Sequence, residues 1–285
     1  MFPELVLFGE TISLYQPVTT FGQLCIFLWI FFNLREYKDI STFSQIPGQR
    51  IKNEKVKKPV DWILALIGIT VIFAVLFSLS MPITPKISML FLGDKSDNFF
   101  YNIFVLPLGL LLFGSIFFVS PFKFSDYIAP GISIALIIFK IACFCCGCCN
   151  GVPSNSFGML NHVTNQKEVP VQLIEIICAV IMLIIILLVR RKKERKPGIL
   201  YPLFMVMYCA SRFVSEFWRG DYPDVYGPLK GYHIQCIIGF VEGLIILFIA
   251  LKWGEKVSAF YAAKKESILK KFEKNTPVAE EEPEE

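Results

Sequence analysis

The stretch "YIAPGISIALIIFKIACFCCG", residues 127–147, carries a single charged side chain, Lys140. A helix that crosses about 30 Å of hydrocarbon needs roughly 20 mostly apolar residues, because it alone satisfies every backbone N–H and C=O in a medium without water. The run meets that requirement, and the rest of the chain repeats it. Further apolar stretches lie near 17–34, 61–81, 99–120, 171–189, 198–216 and 234–252. The expected fold is therefore an all-α, polytopic membrane bundle of about seven transmembrane helices.

Composition agrees. Hydrophobic residues make up 54% of the 285-residue chain, above the roughly 45–50% of soluble domains, and the mean hydropathy is +0.57. The charges concentrate between the apolar stretches. Arg35, Lys38, Arg50, Lys52, Lys55, Lys57 and Lys58 follow the first, and "RRKKERK" at 190–196 follows the fifth. Excess Lys and Arg marks cytoplasmic loops, which predicts an N-terminus outside and a C-terminus in the cytoplasm. The net charge of +4 then reflects topology and anionic lipid at the inner leaflet, and no nucleic-acid partner is expected.

The first apolar run has no basic segment ahead of it and no small-residue cleavage site after it, so it reads as a retained span. Residues 1–252 are expected to form the membrane domain. Residues 253–285, ending "PVAEEEPEE", read as a charged cytoplasmic tail, partly disordered.

Five of the nine cysteines fall within "CFCCGCCNG", residues 143–151. Two-residue gaps between thiols suit zinc and redox motifs, a loop on the oxidising side of a membrane can form a local disulfide, and Cys, being small, lets a helix end approach its neighbours closely. All three readings are open from spacing alone. The other four cysteines are isolated in apolar runs and the two histidines lie in predicted loops, so no second ligand pair is evident.

A charge inside a span costs about 2.5–3.5 kcal/mol on insertion scales and calls for a partner or a purpose. "SRFVSEFWRGD" places Arg212, Glu216 and Arg219 at steps of four and three, on one helical stripe. Lys140, Glu175 and Glu242 lie in the fourth, fifth and seventh predicted spans. Arg212 and Glu216 can simply hold the bundle together. The functional reading is a phosphate site, since the guanidinium fork matches phosphate oxygens and a carboxylate steadies it.

Taken in order, the segments resemble the prolipoprotein diacylglyceryl transferase family. The resemblance rests on "FSDYIAP" at 124–130, "GCCNG" at 147–151, "PVQLIE" at 170–175 and "KPGILYPLFMVMYCASRFVSEFWR" at 196–219. It implies transfer of the diacylglyceryl group from phosphatidylglycerol to the lipobox cysteine of a prelipoprotein signal peptide, in a bacterial plasma membrane, without metal or cofactor. It also implies that the sulfur nucleophile belongs to the substrate, which leaves the cluster at 143–149 as a packing turn beside the lipid site.

By the same resemblance Arg212, Glu216 and Arg219 are the catalytic candidates, the arginines holding phosphate and the glutamate orienting them. Tyr15, Lys140, Gly151, Gln172, Glu175 and Gln235 are the substrate-binding candidates. The chain departs from the family at several positions, among them Phe139, Ala142 and Cys143 in the fourth span and Ile174 in the fifth. "FVLPLGLLLFG" at 104–114 stands where a His-Gly-Gly segment is usual, and Lys140 stands where an arginine is usual. The alternative is a catalytically impaired paralogue that binds anionic phospholipid or a lipoprotein precursor.

Overall fold

The computed structural model describes residues 4–7, 10–13, 15–36, 67–68, 71, 99–117, 119–161, 163–192, 194–220 and 227–275. It begins with strands β1 (Glu4–Leu7) and β2 (Glu10–Ser13), paired antiparallel with Glu4 opposite Ser13. Helices α1 (Tyr15–Glu36), α2 (Phe99–Phe117) and α3 (Pro121–Cys146) follow. After them come the hairpin strands β3 (Met159–Asn161) and β4 (Gln166–Glu168), then α4 (Val171–Arg191), α5 (Leu200–Glu216) and α6 (Gly231–Asn275).

The protein is thus mostly helical. Among the described residues, three helical segments are long and apolar enough to cross a membrane, Pro121–Cys146, Val171–Arg190 and Gly231–Ser267. The expected spans at 17–34 and 99–120 fall on α1 and α2. The span at 61–81 lies outside the described residues apart from 67–68 and 71. Helix α5 has 17 residues, about 26 Å at 1.5 Å per residue. The two small hairpins were not part of the all-α expectation, and α6 continues unbroken to Asn275 rather than ending near residue 252.

Local sequence explains the helix ends. Ser120 accepts from Lys123 N (3.4 Å) and Pro121 occupies the first turn of α3, where its missing N–H costs nothing. At the other end Gly147 takes φ 67°, the left-handed conformation that closes a helix.

Helix α4 shows the inside-out logic of a membrane element. Gln172, Glu175, Ala179, Met182 and Ile186, spaced by three and four, are buried, whereas Ile177, Ile181, Ile184 and Leu188 are each more than half exposed. An apolar stripe turned outward suits lipid. Between the helices, Leu110, Phe113, Phe124, Ile128, Met182, Ile186, Phe204 and Met205 form one core, with Phe113 stacked on Phe124 at 4.6 Å.

Helix α1 runs antiparallel along α3. Gly22 faces Ile138, and seven residues on, Trp29 lies against Gly131 and donates its indole N–H to Tyr127 O at 2.8 Å. Tyr15 therefore comes level with the end of α3. At the opposite end of α3, Asp126 closes the turn into α5, accepting from Gly198 N and Leu200 N, both at 2.8 Å, and from Arg195. Ile199, at the N-cap of α5, supplies no side-chain bond, so the carboxylate from α3 satisfies amides that a local Ser or Asp usually would.

Candidate functional site

Glu175 is one turn into α4, on its buried stripe, and faces cations from two other helices. Its Oε2 is 2.6 Å from Lys140 Nζ on α3, and its Oε1 is paired with Arg212 Nη1 on α5. Ser215 Oγ donates to the same Oε1 at 3.2 Å, and Arg219 Nη1 is 3.8 Å away. A second carboxylate, Glu216, is fully buried and lies 2.9 Å from Arg212 Nη2 and 3.9 Å from Arg219 Nε. The ring of Tyr232 lies 5.7 Å from the Arg212 guanidinium, within the range of a cation–π contact.

The set joined by these ion pairs contains three cations, Lys140, Arg212 and Arg219, and two carboxylates, Glu175 and Glu216, so 3 − 2 leaves a surplus of one positive charge. Beside it, between α3, α4 and α5, is a small cavity lined by Lys140, Glu175, Arg212 and Ser215 together with Leu136, Met182 and Tyr208. Polar and cationic groups thus share one concavity with apolar ones.

Arg219 lies past the end of α5, where helical hydrogen bonding alone would not fix it. A small antiparallel arrangement does so. Val152 N donates to Trp218 O (2.8 Å) and Gly220 N to Asn150 O (2.9 Å), bridging Gly151 to Arg219, while Val169 N donates to Val152 O (3.0 Å). Gly151 is pressed against the Val169 carbonyl so closely that a Cβ there would lie 2.9 Å from the carbonyl carbon. These contacts hold Arg219 beside α4 and α5.

The sequence candidates distribute as follows. Lys140, Glu175, Arg212, Glu216 and Arg219 converge. Gln172, one turn before Glu175, donates Nε2 to Cys148 O at 2.6 Å and ties the cysteine turn to α4. Gly151 acts through its backbone. Tyr15 is 40% exposed at the first residue of α1, and Gln235 is buried in the first turn of α6, each outside the ion-paired set.

Lys230 was not singled out from the sequence. It is buried, and its Nζ donates to Glu216 O (3.2 Å) and Arg219 O. In sequence it is one lysine in a loop; its role depends on α6 starting against the end of α5. His233 is buried too, accepts from Lys230 N at Nδ1 (2.9 Å), and packs against the rings of Phe213 and Phe217 at 4.9 and 4.4 Å. His162 falls outside the described residues.

The cysteine run separates into two groups. Cys143, Cys148 and Cys149 turn their thiols toward one another, while Cys145 and Cys146 do not join them; all nine cysteines of the chain are free thiols.

The family model described as prolipoprotein diacylglyceryl transferase matches residues 47–249. That range includes every residue of the ion-paired set and the cysteine turn. No curated protein matches the chain.

Proposed function

As the chain belongs to the prolipoprotein diacylglyceryl transferase family, we propose that it transfers the diacylglyceryl group of phosphatidylglycerol to the lipobox cysteine thiol of prelipoproteins. The observation that carries this reading is the buried, net-positive set around Glu175, bordering a cavity with both cationic and apolar walls. A phospholipid phosphate supplies the missing negative charge. We read the chain as a seven-span protein of the bacterial plasma membrane, N-terminus outside, with 1–252 as the membrane domain and 253–285 as a cytoplasmic tail.

In the proposed reaction the substrate sulfur attacks the glycerol carbon that bears the phosphate ester. A C–S bond forms, the C–O bond breaks, and the electron pair leaves with glycerol phosphate. Arg212 and Arg219 hold the departing phosphate, Glu216 and Glu175 keep their forks aligned, and Lys140 adds a less directional charge. Stabilisation is greatest as charge builds on the leaving oxygen, which is where preorganised cations lower a barrier. The thiol proton can end on the released phosphate monoester, whose second pKa is about 6.

The absence of a histidine from 104–114 favours one second reading, a paralogue that binds anionic phospholipid or lipoprotein precursor without turnover. Transfer of radiolabelled diacylglyceryl from phosphatidylglycerol to a lipobox peptide separates the two. Transfer by the wild-type protein that disappears in Arg212→Ala supports the enzyme. Retained phosphatidylglycerol binding with no transfer by the wild type supports the paralogue.

A further inference from the structure

Helix α3 ends in a turn that gathers sulfur. The N–H groups of Gly147 and Cys148 both return to Cys143 O, the latter at 3.2 Å, so the chain folds back on the last turn of the helix. Cys149 then adopts φ 61°, a left-handed conformation uncommon for a residue with a side chain. As a result the Sγ atoms of Cys143, Cys148 and Cys149 lie within 4.8 Å of one another. This turn is held from two sides: Asn161 Nδ2 donates to Gly147 O at 3.2 Å, and Gln172 Nε2 donates to Cys148 O at 2.6 Å.

A packing turn does not account for this convergence. Close approach is served by any small side chain, and Gly147 already supplies the conformation that ends the helix. No two of the converging thiols stand at the two-residue gap, so their meeting comes from the turn and not from sequence spacing. The set that converges is Cys143 with Cys148 and Cys149.

We propose that Cys143, Cys148 and Cys149 form a three-coordinate thiolate site for a soft d¹⁰ cation, with Cu(I) as the best fit. Soft thiolates select Cu(I) and Zn(II) among common first-row ions. A structural zinc site takes four protein ligands, whereas three thiols converge here among the described residues. Loading releases three protons: three thiols and one Cu(I) give a trithiolate complex of charge −2 without any change of oxidation state. Lys140 and Arg219 both lie close enough to Cys149 to act on it electrostatically, and the single surplus positive charge of their ion-paired set offsets part of that charge. The site adjoins the lipid-phosphate site through these same side chains and does not depend on what reaction occurs there.

The test uses the full-length protein, purified anaerobically with its thiols reduced, and Cu(I) or Zn(II) as separate probes in competition with a chelator of known affinity. The proposal expects one Cu(I) retained per chain in an all-sulfur shell by X-ray absorption. It also expects Cys148→Ser and Cys149→Ser each to weaken retention by tenfold or more while eluting as monodisperse protein. Cys25→Ser, outside the cluster, should leave copper binding unchanged. Failure of the wild type to retain copper, retention unaffected by both cluster variants, or tighter binding of Zn(II) in a mixed-ligand shell would each overturn it. Because the readout is metal rather than lipid transfer, loss of the proposed catalytic function would leave the result intact.

Discussion

Lys140 on α3 and Arg212 on α5 do not meet each other; both meet Glu175 on α4, one at each carboxylate oxygen. A single buried carboxylate therefore links three helices and holds two cations that would otherwise repel. Pairs of this kind bring little net stability when intact, because desolvation offsets the attraction. Removing one partner is costly, since it strands the other charge in a dry setting.

Glu175→Gln is accordingly expected to destabilise the protein by about 3–5 kcal/mol, a fall in Tm on the order of 10 °C for a chain of this size. Thermal unfolding in detergent measures it. The double variant Glu175→Gln, Lys140→Met should recover part of the loss by removing a stranded cation; no recovery would show that Lys140 is not held by Glu175.

Arg212 offers a fork to Glu175 and Glu216 at once. Lysine keeps the charge but cannot span both. Arg212→Lys should therefore lower kcat for transfer by roughly 10- to 100-fold, with Arg212→Ala lower still, on the scale of a lost transition-state donor. Equal rates for wild type and Arg212→Lys would indicate that charge alone suffices.

Gly151→Ala tests the backbone arm of the site. A Cβ at this position runs into the Val169 carbonyl, so the strand must shift and Arg219, bridged to Gly151, shifts with it. A displacement near 1 Å can cost about 100-fold in rate. The expected result is a reduced kcat with a nearly unchanged Tm, since the affected segment lies at the end of the bundle.

Asp126 predicts an effect remote from the chemistry. Asp126→Ala leaves Gly198 N, Leu200 N and Arg195 without their carboxylate acceptor, at about 1–3 kcal/mol for each buried group left unsatisfied. Limited trypsin digestion should cut after Arg195 faster than in the wild type. Unchanged cleavage would mean that the turn is held by other contacts.

The sequence made some of this legible and concealed the rest for physical reasons. Arg212 and Glu216 are four apart, and helical periodicity alone puts them together. Arg219 was expected on the same stripe; it does join the set, but through two turn residues and a β-bridge rather than by continuing the helix. Glu175 as the common partner of Lys140 and Arg212 could not be read from spacing, because that contact depends on how three separate helices are rotated. Lys230 and the trio of thiols were hidden in the same way. Asp126 stood out as part of a motif, yet its work as a cap for a helix more than seventy positions away is visible only in three dimensions.

Helix α6 holds 45 residues in one continuous element, about 67 Å at 1.5 Å per residue and roughly twice the hydrocarbon thickness. Its first turn carries Tyr232 and His233, which touch Arg212 and the α5 aromatics. A rod of that length is a lever arm: a tilt of about 6° at the site end sweeps the far end through about 7 Å. A spin or fluorescent label near Asn275 would thus magnify movements around the ion-paired cluster that are too small to follow at the cluster itself, and would do so without placing any probe where lipid must bind.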